Sequence, residues 1–190
     1  MKQKISIHIG EYHASRDPAV ISTVLGSSVA VCLFDPKRRI GGMNHILLPG
    51  KADMEHFDAA ARYGINAMEL LINRIMNLGG HRGRFVAKVF GGAHVLPAIS
   101  KENGVVEKNT AFVLAFLKNE GIRILCKDVR GTHSRKIRFH TDTNEVFLRR
   151  IPCMTFKNAA IEEKRRFLQV KKDAEKEGDV LLFQENRQHF

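Results

Sequence analysis

Thr23-Val24-Leu25-Gly26-Ser27-Ser28, running into Val29-Ala30-Val31-Cys32-Leu33-Phe34-Asp35-Pro36 and followed by Gly41-Gly42-Met43-Asn44-His45 and Leu47-Leu48-Pro49, decides how this chain folds. A turn of small residues opens into an unbroken apolar run, Val29 to Phe34, which reads as a strand covered on both faces. Asp35-Pro36-Lys37-Arg38-Arg39 reverses the chain, and Ile40 to Leu48 returns as a second strand, so a hairpin is predicted. The glycines at 41 and 42 point to a bulge or a close backbone approach within that return strand. The hairpin carries His45 back toward the small-residue turn at Ser28, the layout for setting an imidazole beside a nucleophile.

Outward from the hairpin, Lys4 to Ile9 alternates apolar and polar residues as a half-buried strand does. An amphipathic helix is predicted from about Glu55 to Asn77, with Ala60, Tyr63, Ala67, Leu70, Leu71 and Ile75 at helical spacing, and Gly79-Gly80 stops it. Phe85 to Phe90 reads as a short strand closing on the turn Gly91-Gly92-Ala93-His94. A second helix, Glu107 to Asn119, ends at Gly121 and leads into the strand Ile122 to Cys126. Strands Lys136 to His140 and Glu145 to Arg150 flank the polar hairpin turn Thr141-Asp142-Thr143-Asn144. A charged helix over Asn158 to Glu177 and a last apolar stretch, Val180 to Phe183, close the sequence. Strands before, between and after helices predict layered α/β packing around mixed sheets.

At 190 residues and 44% hydrophobic content, one domain fills its core without disulfides or metal. Cys32, Cys126 and Cys153 are odd in number and lack C-x-x-C spacing, which predicts reduced thiols and a cytoplasmic location. No apolar run approaches the roughly 20 residues a membrane span requires, so no membrane insertion is expected. The net charge of +11 implies attraction to something acidic. With 7% aromatics and no basic-aromatic alternation, a nucleic-acid partner is not expected. Nine histidines are scattered, with no pair at i, i+4 around a carboxylate, so neither a metal nor a cofactor is expected. The Gly91-Gly92 turn lacks the G-x-x-x-x-G-K pattern of a phosphate loop.

The pattern as a whole resembles the chemoreceptor glutamine deamidase family (CheD). The resemblance runs from about Ile9 to Ile151 through Thr23, the turn at Ser28, Asp35-Pro36, Gly41-Gly42 to His45, Arg62-Tyr63, Ala87 to Ala93, Asn109, and Asp128 with Arg135. It implies a single-domain three-layer sandwich of mixed β-sheets with flanking helices over residues 1–155, and residues 156–190 as a charged helix and tail packed on that domain. It also implies hydrolysis of a glutamine side-chain amide in methyl-accepting chemotaxis receptor helices, through a thioester, and a CheC-type phosphatase as a second partner. The family's cysteine nucleophile falls on Ser28, its histidine on His45, and its histidine-orienting or substrate-contacting residue on Thr23. Backbone N–H groups of Gly26, Ser27 and Val29 would then hold the oxyanion.

Serine at that position changes the chemistry. An imidazole can draw a thiol down from a pKa of roughly 8.5, whereas an alcohol must lose its proton during attack. A serine hydrolase also calls for an acid or amide behind His45, and no Asp or Glu is identifiable as that partner. Ser28 therefore marks either an engineered, trapped form of an active enzyme or a natural member that binds without turnover, the second being an adaptor for receptor or phosphatase. The first is favoured, because one atom differs in an otherwise matching motif. Cys32, inside the apolar run, reads as a core residue rather than a nucleophile. His94 stands where the family more often has another polar residue, and Arg130-Gly131 replaces a more usual pair of glycines.

Overall fold

The computed structural model of the chain describes residues 2–48, 57–95 and 104–151. In chain order these form β1 (Gln3–Ser6), β2 (Tyr12–Ser15), β3 (Ala19–Leu25), β4 (Val29–Asp35), β5 (Ile40–Ile46), α1 (Phe57–Asn77), a 3₁₀ turn (Arg82–Arg84), β6 (Val86–Gly91), α2 (Val105–Asn119), β7 (Arg123–Val129), β8 (Ser134–His140) and β9 (Val146–Ile151). They assemble a five-stranded sheet, β2-β5-β4-β6-β7, and a four-stranded sheet, β1-β3-β8-β9. Both are mixed: β1 with β3 and β6 with β7 are parallel, and the other pairs are antiparallel.

Every residue of β4 is buried, because β4 is the central strand of its sheet and has a layer on each face. Val29, Val31 and Leu33 meet Met68, Leu71, Ile72 and Ile75 of α1 and Val113 and Leu117 of α2. Ala30 and Cys32, on the other side, meet Ile21, Leu25, Ile137 and Phe139 of the second sheet. The two-residue period of a strand thus divides one apolar run between two cores. The layers run helices, five-stranded sheet, four-stranded sheet, as the resemblance implies.

The return strand settles the choice left open at Gly41-Gly42. The β4–β5 register runs unbroken, so there is no bulge; the glycines serve close approach. A Cβ at Gly41 would stand 2.7 Å from the carbonyl of Thr141, and one at Gly42 2.7 Å from Ala14 Cβ. The register irregularity lies instead between β6 and β7, at Ala87/Lys88.

Two strands were not anticipated from sequence, β2 and β3. β2 is a four-residue edge strand. In β3 the inward residues Ile21, Thr23 and Leu25 are buried while Val24 is 41% exposed, so an apolar residue on the outer face blurs the alternation. β1 is shorter than predicted, although Ile7 beyond its end is still buried. The predicted helix 158–177 and the stretch 180–183 lie outside the described residues, as does the predicted start of α1 at Glu55.

Asp35 anchors the hairpin. Its fully buried carboxylate accepts the N–H groups of Lys37 (2.9 Å), Arg38 (3.1 Å) and His81 (2.9 Å), and pairs with Arg84 at 2.7 Å. Burial by itself pushes the carboxyl up, but the Arg84 guanidinium and the three N–H groups outweigh it and hold the pKa at about 2. Because the folded value is depressed, this stabilisation is full above the unfolded pKa near 4 and fades as pH falls toward 2. Denaturant unfolding of the native chain and of Asp35→Asn should therefore differ by about 2 kcal/mol less at pH ~2 than at pH ~6. A difference that does not change with pH would contradict this role.

Candidate active site

β3 belongs to one sheet and β4 to the other, so Gly26-Ser27-Ser28 is the link by which the chain crosses between them. Each carbonyl of that link is held. Gly26 O accepts Ala93 N–H at 2.7 Å, Ser27 O accepts the Asn109 side-chain amide at 3.2 Å, and Ser28 O accepts Gly92 N–H at 2.7 Å. Asn109 is fully buried, and its Oδ1 also takes the N–H of Leu48 at 2.7 Å, tying the link to the chain just beyond β5. The close approach at Gly91-Gly92 requires glycine: a Cβ on Gly91 (φ 114°) would stand 2.2 Å from Ser28 O, and one on Gly92 (φ 62°) 2.5 Å from Thr110 Oγ1.

His45 lies opposite Ala30 in the β4–β5 register, which turns its ring toward the four-stranded sheet. Its Nε2 is 2.7 Å from Ser28 Oγ, and its Nδ1 is 2.8 Å from Thr23 Oγ1. Thr23 Oγ1 in turn donates to the carbonyl of Ile7 at 2.8 Å. The three residues called out in the sequence thus come together, one from each of β3, the link and β5. All three are buried, at 4%, 1% and 4% exposure for Thr23, Ser28 and His45.

Donor counting orders these bonds. A carbonyl can only accept, so the single proton of Thr23 goes to Ile7, and Thr23 Oγ1 is left to accept from Nδ1–H. A neutral His45 therefore carries its proton on Nδ1 and turns the lone pair of Nε2 to Ser28, whose hydroxyl donates to it. This is the arrangement of a general base beside a hydroxyl or thiol, with a neutral hydroxyl where a serine triad has a carboxylate.

Three further groups position the link: the Gly91-Gly92 turn, which the sequence marks as a close backbone approach, and Asn109 and Arg135, to which it gives no role. Asn109 and the glycine pair are described above. Arg135, 3% exposed, is the third: its guanidinium donates to Asp128 Oδ1 (2.6 Å), to Gly91 O (3.3 Å), to His133 O (3.4 Å) and to Arg130 O. The loop holding Arg130-Gly131 keeps a left-handed backbone despite departing from two glycines. Arg130 (φ 67°) and Gly131 (φ 80°) are both left-handed, and Arg130 N–H donates to Gly91 O at 2.9 Å. His94 pairs with Glu107 at 3.1 Å and donates its backbone N–H to Gly131 O. Among the described residues no three His, Cys, Asp or Glu side chains cluster as a metal site, and no helix is long and apolar enough to cross a membrane.

A family model described as CheD chemotactic sensory transduction matches residues 47–150, beginning just past His45. A probable chemoreceptor glutamine deamidase CheD 1 of Shewanella oneidensis is 41% identical over 187 residues, covering 97% of this chain and 89% of the relative. A probable chemoreceptor glutamine deamidase CheD 2 of Chromobacterium violaceum is 39% identical over 183 residues, covering 94% and 89%. A probable chemoreceptor glutamine deamidase CheD of Rhizobium leguminosarum is 47% identical over 139 residues, covering 72% and 74%.

Cys32, four residues beyond Ser28, is fully buried, and burial pushes its thiol far above the usual range, with the charge of Lys88 opposing only in part. Cys126 is exposed. Iodoacetamide at about pH 8, followed by peptide mapping, should label Cys126 and leave Cys32 untouched until denaturant is added. Labelling of native Cys32 at a comparable rate would contradict its place in the inter-sheet core.

Proposed function

This chain belongs to the CheD family, and from that premise we propose that its site performs protein-glutamine deamidation on methyl-accepting chemotaxis receptors, with position 28 as the nucleophile, His45 as base and acid, and Thr23 as the residue that orients His45. The observation that carries this reading is the hydrogen-bonded series from Ile7 O through Thr23 and His45 to Ser28 Oγ. The reaction needs three things: a nucleophile for the amide carbon, a proton for the departing nitrogen, and donors for the oxyanion. Nε2 takes the nucleophile's proton as the bond to the glutamine carbonyl carbon forms. It then returns that proton to the nitrogen as ammonia leaves. Water attacks the acyl-enzyme with Nε2 again as base, releasing glutamate and the nucleophile. The N–H groups of the Gly26 to Val29 link are the proposed oxyanion donors, on a backbone whose carbonyls are already held in place.

A neutral Thr23 suits a cysteine better than a serine. A thiolate and an imidazolium stabilise each other before attack, so no further anion is needed. An alcohol creates the imidazolium only as it attacks, and Thr23 offers that imidazolium no negative charge, whereas the carboxylate of a serine triad does. Ser28 is therefore proposed to leave this chain impaired in turnover while keeping its binding surface. The same residue supports the second reading, an adaptor that binds receptor, or a CheC-type phosphatase, without turnover. The proposed place of action is the cytoplasm, where free thiols such as Cys32 and Cys126 persist.

Ser28→Cys should raise ammonia release from a receptor fragment on the order of 10³-fold, equivalent to about 4 kcal/mol of barrier. Mass spectrometry of the fragment should show glutamine converted to glutamate. Equal rates for the two forms would contradict the nucleophile assignment. Binding without turnover by both would favour the adaptor.

A further inference from the structure

A surface pocket of about 400 Å³ lies between the end of β7 and the start of β8, joined to the Ser28 link through the hydrogen bonds of Gly91 and Gly92. Its walls carry Lys127, Arg130, His133, Arg135 and Arg150 around one carboxylate, Asp128. That carboxylate is already taken on both oxygens, by Arg135 at 2.6 Å and by Arg150 at 2.7 Å. Lys127 and Arg130 are exposed and form no ion pair with a carboxylate of the described residues, so the pocket keeps a net positive charge.

Arg130 is the unusual member. Its φ of 67° places a long side chain where glycine is at ease, and a non-glycine residue there costs about 1 kcal/mol or more. No packing explains the choice, because the side chain is exposed. The strained backbone is nonetheless fastened: its N–H donates to Gly91 O, and its carbonyl accepts from Arg135. The neighbouring Gly92 N–H holds the carbonyl of Ser28. A cation without an ion-pair partner among the described residues is thus mounted on a hydrogen-bonded loop two hydrogen-bond links from the candidate nucleophile.

We infer that Arg130 and Lys127 form a specificity subsite that binds carboxylates flanking the target glutamine, so that the site selects glutamines in acidic peptide segments. This rests on the deamidase reading above and adds to it the substrate feature read outside the reacting atoms. A carboxylate on either side of the scissile amide gains a charge-assisted hydrogen bond that a neutral amide does not. The gain is made on binding and is independent of bond breaking, so it acts on KM and leaves kcat in place.

Binding requires no turnover, so the chain with Ser28 serves as it stands. Two fluorescent peptides carry the same central glutamine, one flanked by glutamates and the other by glutamines at the same positions, and anisotropy gives each affinity. The glutamate peptide should bind at least about tenfold tighter, with the advantage shrinking as salt rises. Arg130→Gly combined with Lys127→Ala should abolish that preference, leave the glutamine peptide unchanged, and not lower the melting temperature, since glycine relieves the left-handed strain. A glutamate peptide that binds no tighter than the glutamine peptide, or not at all, overturns the inference. So does a preference that survives the double substitution, or displacement of the peptide by duplex DNA at equal charge. In the Ser28→Cys background the double substitution should raise KM for the glutamate peptide about tenfold with kcat unchanged. If Ser28→Cys deamidates neither peptide, the deamidase reading fails, while the binding preference is judged on its own.

Discussion

Thr23 has one hydroxyl proton, and the carbonyl of Ile7 takes it. That allocation propagates. Thr23 Oγ1 must accept, Nδ1 of His45 must donate, and Nε2 is left with a lone pair facing Ser28. The direction of the Nε2 lone pair is thus set by a carbonyl beyond the end of β1, in a different sheet from the strand that carries the histidine. The partner that a serine triad fills with a carboxylate is here a neutral group, which fixes the tautomer without adding negative charge. A buried polar series of this kind is stable only when each member is satisfied, and these three bonds at 2.7 to 2.8 Å meet that condition.

The series exists because the chain changes sheets at Gly26-Ser27-Ser28. A crossover between layers would ordinarily expose backbone carbonyls to a core that cannot solvate them. Ala93 N–H, the Asn109 amide and Gly92 N–H take all three, and in doing so fix the position of Ser28. Asn109 reaches the link from α2 across 82 residues of sequence, and Arg135 reaches Gly91 from β8 across 44. Support for the site therefore comes from both the helical layer and the second sheet. The glycine pair lets the backbones approach to a distance that any side chain would block.

The legible part of this fold was the part in which local pattern and burial agree. The run Val29 to Phe34 reads as a two-faced strand because β4 does sit between two layers, and Asp35-Pro36 turns because Asp35 caps the following N–H groups. The pairing of Ser28 with His45 was also legible, since both flank one hairpin. β3 was not, because Val24 presents an apolar side chain to the outside and Thr23 a polar one to the inside, against the usual alternation. That reversal is what gives His45 its partner: the inward hydroxyl of Thr23 meets Nδ1 at 2.8 Å. Thr23 was accessible only through the family resemblance, and Asn109 and Arg135 only as unexplained matches, because their partners are set by tertiary contact. The bulge considered for Gly41-Gly42 shows the converse, since one glycine pattern served two geometries and only the packing of Thr141 and Ala14 chose between them.

The most direct test of the account is the protonation state of the His45 ring, read by nitrogen-15 NMR on selectively labelled histidine in the chain with Ser28. At neutral pH the ring should be protonated on Nδ1 and not on Nε2, and Thr23→Val should lose that preference. A ring protonated on Nε2 in the native chain would contradict the account, because Ser28 would then face a donor and the site would have no base.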